Sequence, residues 1–503
     1  MALVFHEVTF TYDGAVQPIF AEVSVHFARG WTGIVGANGT GKTTLLRLAL
    51  GDFDPLQGYI QSSGRIIYCP QRTDDAPPLF GEFMASCDAE SCTLKGRLHL
   101  GDDWDERWES LSHGERKRAQ IAVALWQSPD VLLIDEPTNH IDAEARTLLE
   151  QALQAFSGVG MLVSHDRELL DSLCYQCVFL DPPDVIVRPG GYTTGAAQAR
   201  QEDDFIRTER QYAKQTLQRI SDEEQRRKTE ASRANRLRSK RNLARNDSDG
   251  RAKLDMVRFS GKDGQAGRLA RQLDGRVRKA QEHVEQLAVK KKYDLNFWLP
   301  GSLSPREHLF TIPAGVLGLD EQRSLAFPEL TMFPDDRIAI TGLNGMGKST
   351  LLRHILAQLT LPAEKVIYLP QEIDYATTQQ IMREVNALSH DQLGLVMTVV
   401  SCLGSRPERL LGNVEASPGE IRKILLALGV IRSPHLIIMD EPTNHLDLPA
   451  IECLEDALDG CPCGLLLVSH DMRFLSHLAQ LHWHLAPSGE NPARITLEVT
   501  AMD

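Results

Sequence analysis

The chain has 503 residues, 42% of them hydrophobic and 24% charged, with a formal net charge of −14. That length holds about three domains at the usual ~100–200 residues each. The lack of any apolar run of 18 residues leaves no candidate helical membrane span, and nine scattered cysteines argue against a disulfide framework and for a reducing, cytoplasmic compartment.

The first residues, MALVFHEVTF, read as a β-strand; they lack the basic, apolar and small-residue succession of a leader. Up to about residue 195, apolar strands (WTGIVG, RIIYCP, VLLIDEP, VGMLVSH, CVFL) alternate with helical stretches. This predicts an α/β domain whose largely parallel sheet is covered on both faces. Within it stand GANGTGKTT at Gly36–Thr44, YCPQ ending at Gln71, LSHGE at Leu111–Glu115, VLLIDEPTNHID at Val131–Asp142 and VSHD at Val163–Asp166. Cys174-x-x-Cys177, like Cys461-Pro-Cys463 later, lacks a partner pair at zinc-site spacing and reads as core packing.

Residues of about 196–300 change character. From Ala196 to about Arg245 the chain lacks Pro and Gly and favours helix formers; ~50 helical residues would reach ~75 Å. Turn formers gather over Asn246–Gly267. A second helix is expected over Arg268–Lys292, with Leu269, Leu273, Val277, Val284 and Leu287 about every three to four positions. The pair predicts an antiparallel helical hairpin; a charged, solvated linker or coiled-coil spacer is the blander alternative. Arg200–Lys292 carries 26 Lys+Arg against 15 Asp+Glu, a net of +11, which leaves −25 for the rest of the chain.

From about residue 301 to 503 the first pattern returns: GLNGMGKST at Gly342–Thr350, YLPQ ending at Gln371, ASPGE at Ala416–Glu420, LIIMDEPTNHLD at Leu436–Asp447 and VSHD at Val468–Asp471. Lys348, Asp440, Ser417 and His470 lie 306, 305, 305 and 305 residues after Lys42, Asp135, Ser112 and His165. Gln371 lies 300 residues after Gln71; five motifs written twice, in one order at a nearly constant offset, indicate two phosphate-handling domains.

The chemistry is legible in each motif. In G-x-x-x-x-G-K-[ST], glycines let backbone N–H groups face phosphate, the lysine neutralises its oxygens, and the next hydroxyl binds Mg²⁺. Gly36, Asn38, Gly39, Gly41, Lys42, Thr43 and Thr44 form one candidate ATP cradle, and Gly342, Asn344, Gly345, Gly347, Lys348, Ser349 and Thr350 the other. Each follows an apolar strand and opens an apolar helix, the context the motif requires. Asp135 and Asp440, at strand tips, are candidates to hold hydrated Mg²⁺, with Thr43, Ser349, Gln71 and Gln371. Glu136 and Glu441 are the candidate bases that polarise water. His165 and His470 are placed to contact the γ-phosphate and that water.

These residues resemble the ATP-binding cassette superfamily over about four-fifths of the chain. The doubled EPTNHxD stretch with a helical connector resembles its ABC-F branch, soluble tandem-cassette ATPases that act on the ribosome. The resemblance implies two cassettes closing head-to-tail, each ATP lying between one P-loop and the opposite signature. One site would then combine Lys42, Gln71, Asp135, Glu136 and His165 with Ser417 and Gly419. The other would combine Lys348, Gln371, Asp440, Glu441 and His470 with Ser112 and Gly114. It also implies that Tyr12, 24 residues before Gly36, stacks on adenine.

There are departures. His113 and Pro418 interrupt the two signatures, and proline removes a backbone donor. The Tyr12 spacing before Gly342 lands on Gly318, with no aromatic beside it. Two unequal sites follow. Only about 40 residues separate Gln71 from Leu111, so the basic connector is the main expected contact element. The resemblance directs it to large-subunit RNA and P-site tRNA, with Lys253, Met256, Arg258 and Phe259 at its tip, and implies translation control, rescue or antibiotic protection. The competing readings are a double ATPase subunit of a membrane importer and a DNA-associated cassette ATPase.

Overall fold

A computed structural model describes residues 2–62, 64–139, 141–237, 262–286, 299–371, 373–405, 418–444, 446–489 and 491–502. The chain divides into two compact units: Met1–Gly195 together with Asp294–Asp503, and Ala196–Tyr293. The first unit is α/β and contains two cassettes.

In the first cassette a six-stranded sheet runs in the order Ile66–Cys69, Val131–Asp135, Val159–Val163, Gly30–Gly36, Cys174–Asp181, Asp184–Pro189. All neighbours are parallel except the last pair. A three-stranded antiparallel sheet of Phe20–Phe27, Leu3–Phe10 and Gln57–Ser62 packs beside it. Every residue of Val131–Asp135 and Val159–Val163 is buried, as expected of parallel strands covered on both faces. Val131, Leu133, Val159, Met161 and Val163 join Ile34, Leu45, Leu46 and Leu48 in one core.

The second cassette repeats that order with Val366–Leu369, Leu436–Asp440, Gly464–Val468, Arg337–Gly342, Leu481–Ser488 and Asn491–Ala501. Its sheet extends to eight strands through Ser324–Phe327 and Gly315–Gly318. In both cassettes the P-loop strand is central, and the strand ending in Asp-Glu lies two places away. Both therefore deliver their C-terminal ends to one edge, where ligands bind in open parallel sheets.

The second unit carries a 46-residue helix, Tyr192–Leu237, whose first residues belong to the first unit, and a 25-residue helix, Lys262–Gln286. Lys228 of one pairs with Asp274 of the other at 3.0 Å, and Ala213, Ile220 and Leu273 are buried. The two expected helices are thus present and touch each other; the residues that connect them, 238–261, lie outside the described residues. The second begins earlier than the sequence suggests, for Lys262–Gly267 is helical despite Gly264 and Gly267. Each glycine costs about 1 kcal/mol in a helix, which the long run of helix formers after them offsets. The tip candidates Lys253, Met256, Arg258 and Phe259 lie outside the described residues.

Candidate functional site

The tight turn after each central strand is built by glycine. Gly39 and Gly345 adopt φ of 82° and 79°, the left-handed region that residues with a Cβ avoid. A Cβ on Gly39 would meet nothing within 4 Å, so backbone conformation, and not crowding, demands glycine there. The turn opens the helices Lys42–Leu50 and Lys348–Gln358, directing their positive dipole ends into the turn.

Lys42 Nζ donates to the carbonyls of Gly36 and Ala37 at 2.9 and 3.3 Å and to Asn38 Oδ1 at 3.4 Å. Lys348 Nζ reaches Gly342 O at 2.6 Å and Leu343 O at 3.2 Å. Burial lowers the pKa of both ammonium groups, opposed by the facing carboxylates. Thr43 Oγ1 donates to Asp135 Oδ2 at 2.7 Å; in the second site burial raises the pKa of Asp440, opposed by the Ser349 hydroxyl beside it. Tyr12 Oη lies 2.7 Å from Oγ1 of Thr44, with its ring edge-on to Phe10 and Phe53.

Glu136 and Glu441 depart from ordinary backbone, at φ of 46° and 52°. Such positions in non-glycine residues cost about 1–3 kcal/mol and need surrounding structure to hold them. Here the bonds Glu136 N–H to Val163 O (2.9 Å) and Glu441 N–H to Val468 O (2.8 Å) supply it. Each carboxylate accepts the backbone N–H of its histidine, at 3.2 Å for His165 and 3.3 Å for His470. The second oxygen, Oε1, is buried and faces the imidazole of the same histidine, 3.1 Å from His165 Nε2 in Glu136 and 3.5 Å from His470 Nε2 in Glu441. Burial pushes Glu136 up to about 7 and Glu441 up to about 8. It holds His165 well below its ordinary value and brings His470 down to about 4, assisted by the nearby lysines. Both imidazoles are neutral at pH 7. His470 Nε2 also lies 3.0 Å from Asn344 Oδ1.

A cavity of about 380 Å³ in the second cassette is lined by the P-loop from Asn344 to Thr350, by Gln371, Asp440, Glu441 and His470, and by Leu319 and Arg323. Gln71, after Ile66–Cys69, is exposed. Ser112 caps Leu111-linked helix His113–Trp126 through a capping box with Glu115, and Gly114 packs toward Ile141. Pro418 begins the helix Pro418–Arg432, a first-turn position that tolerates its missing N–H. Gly419 lies in that first turn, and Ser417 lies outside the described residues.

The cassettes face each other through the loops that follow their Asp-Glu strands. Asp447 Oδ2 accepts from Asn38 N–H of the opposite P-loop at 2.7 Å, and Asp142 Oδ2 from Asn344 N–H at 3.5 Å. Both aspartates also cap their own helices, each at 3.0 Å.

The ABC transporter family model matches twice, at residues 20–139 and 327–444. VmlR, a ribosome protection protein of Bacillus subtilis (strain 168), is 30% identical over 482 residues, covering 92% of this chain and 83% of that protein. The chain belongs to the ABC-F family. The tylosin resistance ATP-binding protein TlrC of Streptomyces fradiae is 29% identical over 567 residues, covering 98% of each. Among solved structures, the archaeal ribosome recycling factor aABCE1 with stalk protein aP1 matches with a TM-score of 0.64 at 18% identity, covering 99% of this chain and 90% of that one. That likeness shows the fold. An ABC-F chain with two cassettes is a member of the P-loop ATPases. No helix among the described residues is long and apolar enough to cross a membrane.

Sequence reasoning missed two features of the ABC-F cassettes. Lys117 is 1% exposed, its Nζ donating to Pro70 O at 2.7 Å and Asp135 O at 3.3 Å. Arg422, 305 residues later, donates to the carbonyls of Asp440 and Glu441 at 3.0 and 2.7 Å. A buried cation thus ties each signature helix to the strand end that carries the acidic pair. The second feature joins the cassettes: Arg167 donates to both oxygens of Glu455 at 2.8 and 2.5 Å and to Asp471 at 3.3 Å. Repeats at an offset of 305 supply the only sequence signal, and at those positions Arg167 matches Met472 while Glu455 matches Glu150.

Proposed function

We propose that this chain is a Mg²⁺-dependent ATPase that binds the ribosome in its ATP-bound state, modulates translation through its basic hairpin, and leaves on hydrolysis. The carrying observation is a segment of net +11, Arg200–Lys292, set between two complete cassettes in a chain of net −14. Segregated charge of this kind favours a phosphate backbone while the acidic remainder discourages nonspecific adhesion. The name of VmlR, a ribosome protection protein, supports the same partner and the protective variant of the role.

In each site the P-loop N–H groups and Lys42 or Lys348 would bind the triphosphate. The oxygen donors Thr43 with Asp135, and Ser349 with Asp440, suit a hydrated hard cation; Gln71 and Gln371 would complete that shell. Mg²⁺, when bound, would neutralise charge on the β/γ oxygens. The Oε1 atoms of Glu136 and Glu441, each beside a histidine Nε2, fit an attacking water held between carboxylate and imidazole, and a carboxylate held near neutral pH is suited to accept its proton. The neutral imidazoles of His165 and His470 would orient that water against the γ-phosphate. Head-to-tail closure would bring Ser417 and Gly419 to the Lys42 site, and Ser112 and Gly114 to the Lys348 site. Tyr12 would stack on the first adenine.

Sedimentation with ribosomes, duplex DNA and membranes at rising salt tests the partner. ATP-dependent, salt-sensitive pelleting with ribosomes is expected. Equal absence from ribosomes with and without ATP would reject the reading, and preferential recovery with membranes would favour the importer subunit.

A further inference from the structure

The second site lacks an aromatic where the first has Tyr12, yet its cavity has a wall that no phosphate chemistry uses. Of the residues lining the ~380 Å³ space, the P-loop, Gln371, Asp440, Glu441 and His470 account for phosphate, cation and water; Asn444 follows the same acidic strand. Leu319 and Arg323 remain. Both lie in the turn between strands Gly315–Gly318 and Ser324–Phe327, as Tyr12 lies between Leu3–Phe10 and Phe20–Phe27.

Arg323 is fixed by its edges. Its Nε donates to Asp320 Oδ2 at 2.6 Å and its Nη1 to the P-loop carbonyl of Gly345 at 3.4 Å. Asp320 is itself anchored, because its other oxygen accepts the backbone N–H groups of Gln322 and Arg323 at 2.9 and 2.7 Å. Hydrogen bonds to a guanidinium lie in its plane, so both bonds orient the group while leaving its flat faces open. Leu319 rests against the other P-loop glycine: a Cβ on Gly347 would fall 2.6 Å from Leu319 Cδ2. The wall thus pairs an apolar side chain with a preorganised planar cation, a surface suited to a heteroaromatic ring.

We propose that Arg323 is the base-stacking residue of the second nucleotide site, taking a purine on its guanidinium face, with Leu319 beneath the same ring. The inference rests on the nucleotide-site reading above and adds a recognition element of different chemistry from Tyr12. It follows that the two sites grip the base unequally in kind, one by an aromatic face and one by a cation.

The test uses the full chain carrying Lys42→Ala, so that binding reports the second site. MgATP is titrated against this parent and its Arg323→Ala and Arg323→Tyr derivatives, with inorganic tripolyphosphate, which has no base, as the second probe. A cation–π contact of about 0.5–2 kcal/mol corresponds to a weakening of roughly 2–30-fold. Arg323→Ala is expected to weaken ATP by that factor and leave tripolyphosphate unchanged, while Arg323→Tyr restores ATP binding. Equal losses for both probes would make Arg323 a phosphate contact and overturn the proposal. Undiminished ATP binding in Arg323→Ala would overturn it alone. A parent that binds neither probe would overturn the nucleotide-site reading and this inference with it.

Discussion

Replacing Arg167 by methionine, the residue found 305 positions later at 472, should loosen the seam between the cassettes more than any surface ion pair would suggest. The Arg167 side chain is 4% exposed and Glu455 10%. Their contact is bidentate, at 2.8 and 2.5 Å. Removing one partner of such a pair leaves an uncompensated charge out of water, which costs about 3–5 kcal/mol. The cost falls on docking, since separating the cassettes returns Glu455 to water. At 1.4 kcal/mol per factor of ten, a cost of ~3 kcal/mol makes the open state about 150-fold more populated. Amide hydrogen exchange of the helices Arg167–Leu173 and Leu448–Asp459 reads that population directly. Adding Glu455→Gln removes the stranded charge, so the double variant should recover most of the loss, giving a coupling of about 2 kcal/mol. Asp471, 20% exposed on its side chain, stays hydrated and does not reverse the recovery. Additive effects of the two substitutions would refute the argument.

Three further outcomes follow from the sites. Without nucleotide or metal, Glu136→Gln should stabilise the protein above pH 7. The folded-state value of about 7 lies above the ordinary 4.5, so the unfolded chain releases its proton first and stability is lost as pH rises between them. The gap of about 2.5 pH units sets an upper limit of about 3.4 kcal/mol. Melting curves in EDTA should separate variant from wild type at pH 8 and converge at pH 4; a constant difference would contradict the burial argument. Asp447→Ala should weaken MgATP at the Lys42 site more than Asp142→Ala weakens it at the Lys348 site, because the contacts measure 2.7 and 3.5 Å. Equilibrium binding in Lys348→Ala and Lys42→Ala backgrounds makes that comparison, and equal effects would refute it. Asp447→Ala should also cost about 1 kcal/mol of stability through its lost helix cap.

What the sequence revealed tracks how local each cause is. VLLID, VGMLV and GWTGIVG read as buried parallel strands because continuous apolar runs have one economical use, and all three occupy the sheet. The P-loops and acidic pairs are legible because glycine φ and strand-end placement are set within a dozen residues. Lys117 was hidden because a charged residue in the run Arg116–Arg118 ordinarily reads as solvated surface; only tertiary packing places carbonyls above it. Arg167 and Glu455 stand 288 residues apart, with no pattern linking them. The aromatic missing near Gly318 was visible, but its counterpart on Arg323 emerged only when the turn folded against Gly345. The second hairpin helix began early because the turn-forming glycines were outweighed by neighbours that the propensity reading treated separately.

The coupling of ATP occupancy to ribosome binding is tested most directly by combining Glu136→Gln with Glu441→Gln. Both carboxylates keep their volume and lose their basicity, so ATP should bind at both sites and hydrolysis should fall roughly 10²–10⁴-fold. Lysate fractionated on a sucrose gradient with MgATP should then show the double variant accumulating on 50S or 70S particles, and without ATP it should remain at the top. A variant that binds ATP, fails to hydrolyse it and still stays off ribosomal particles would contradict the account.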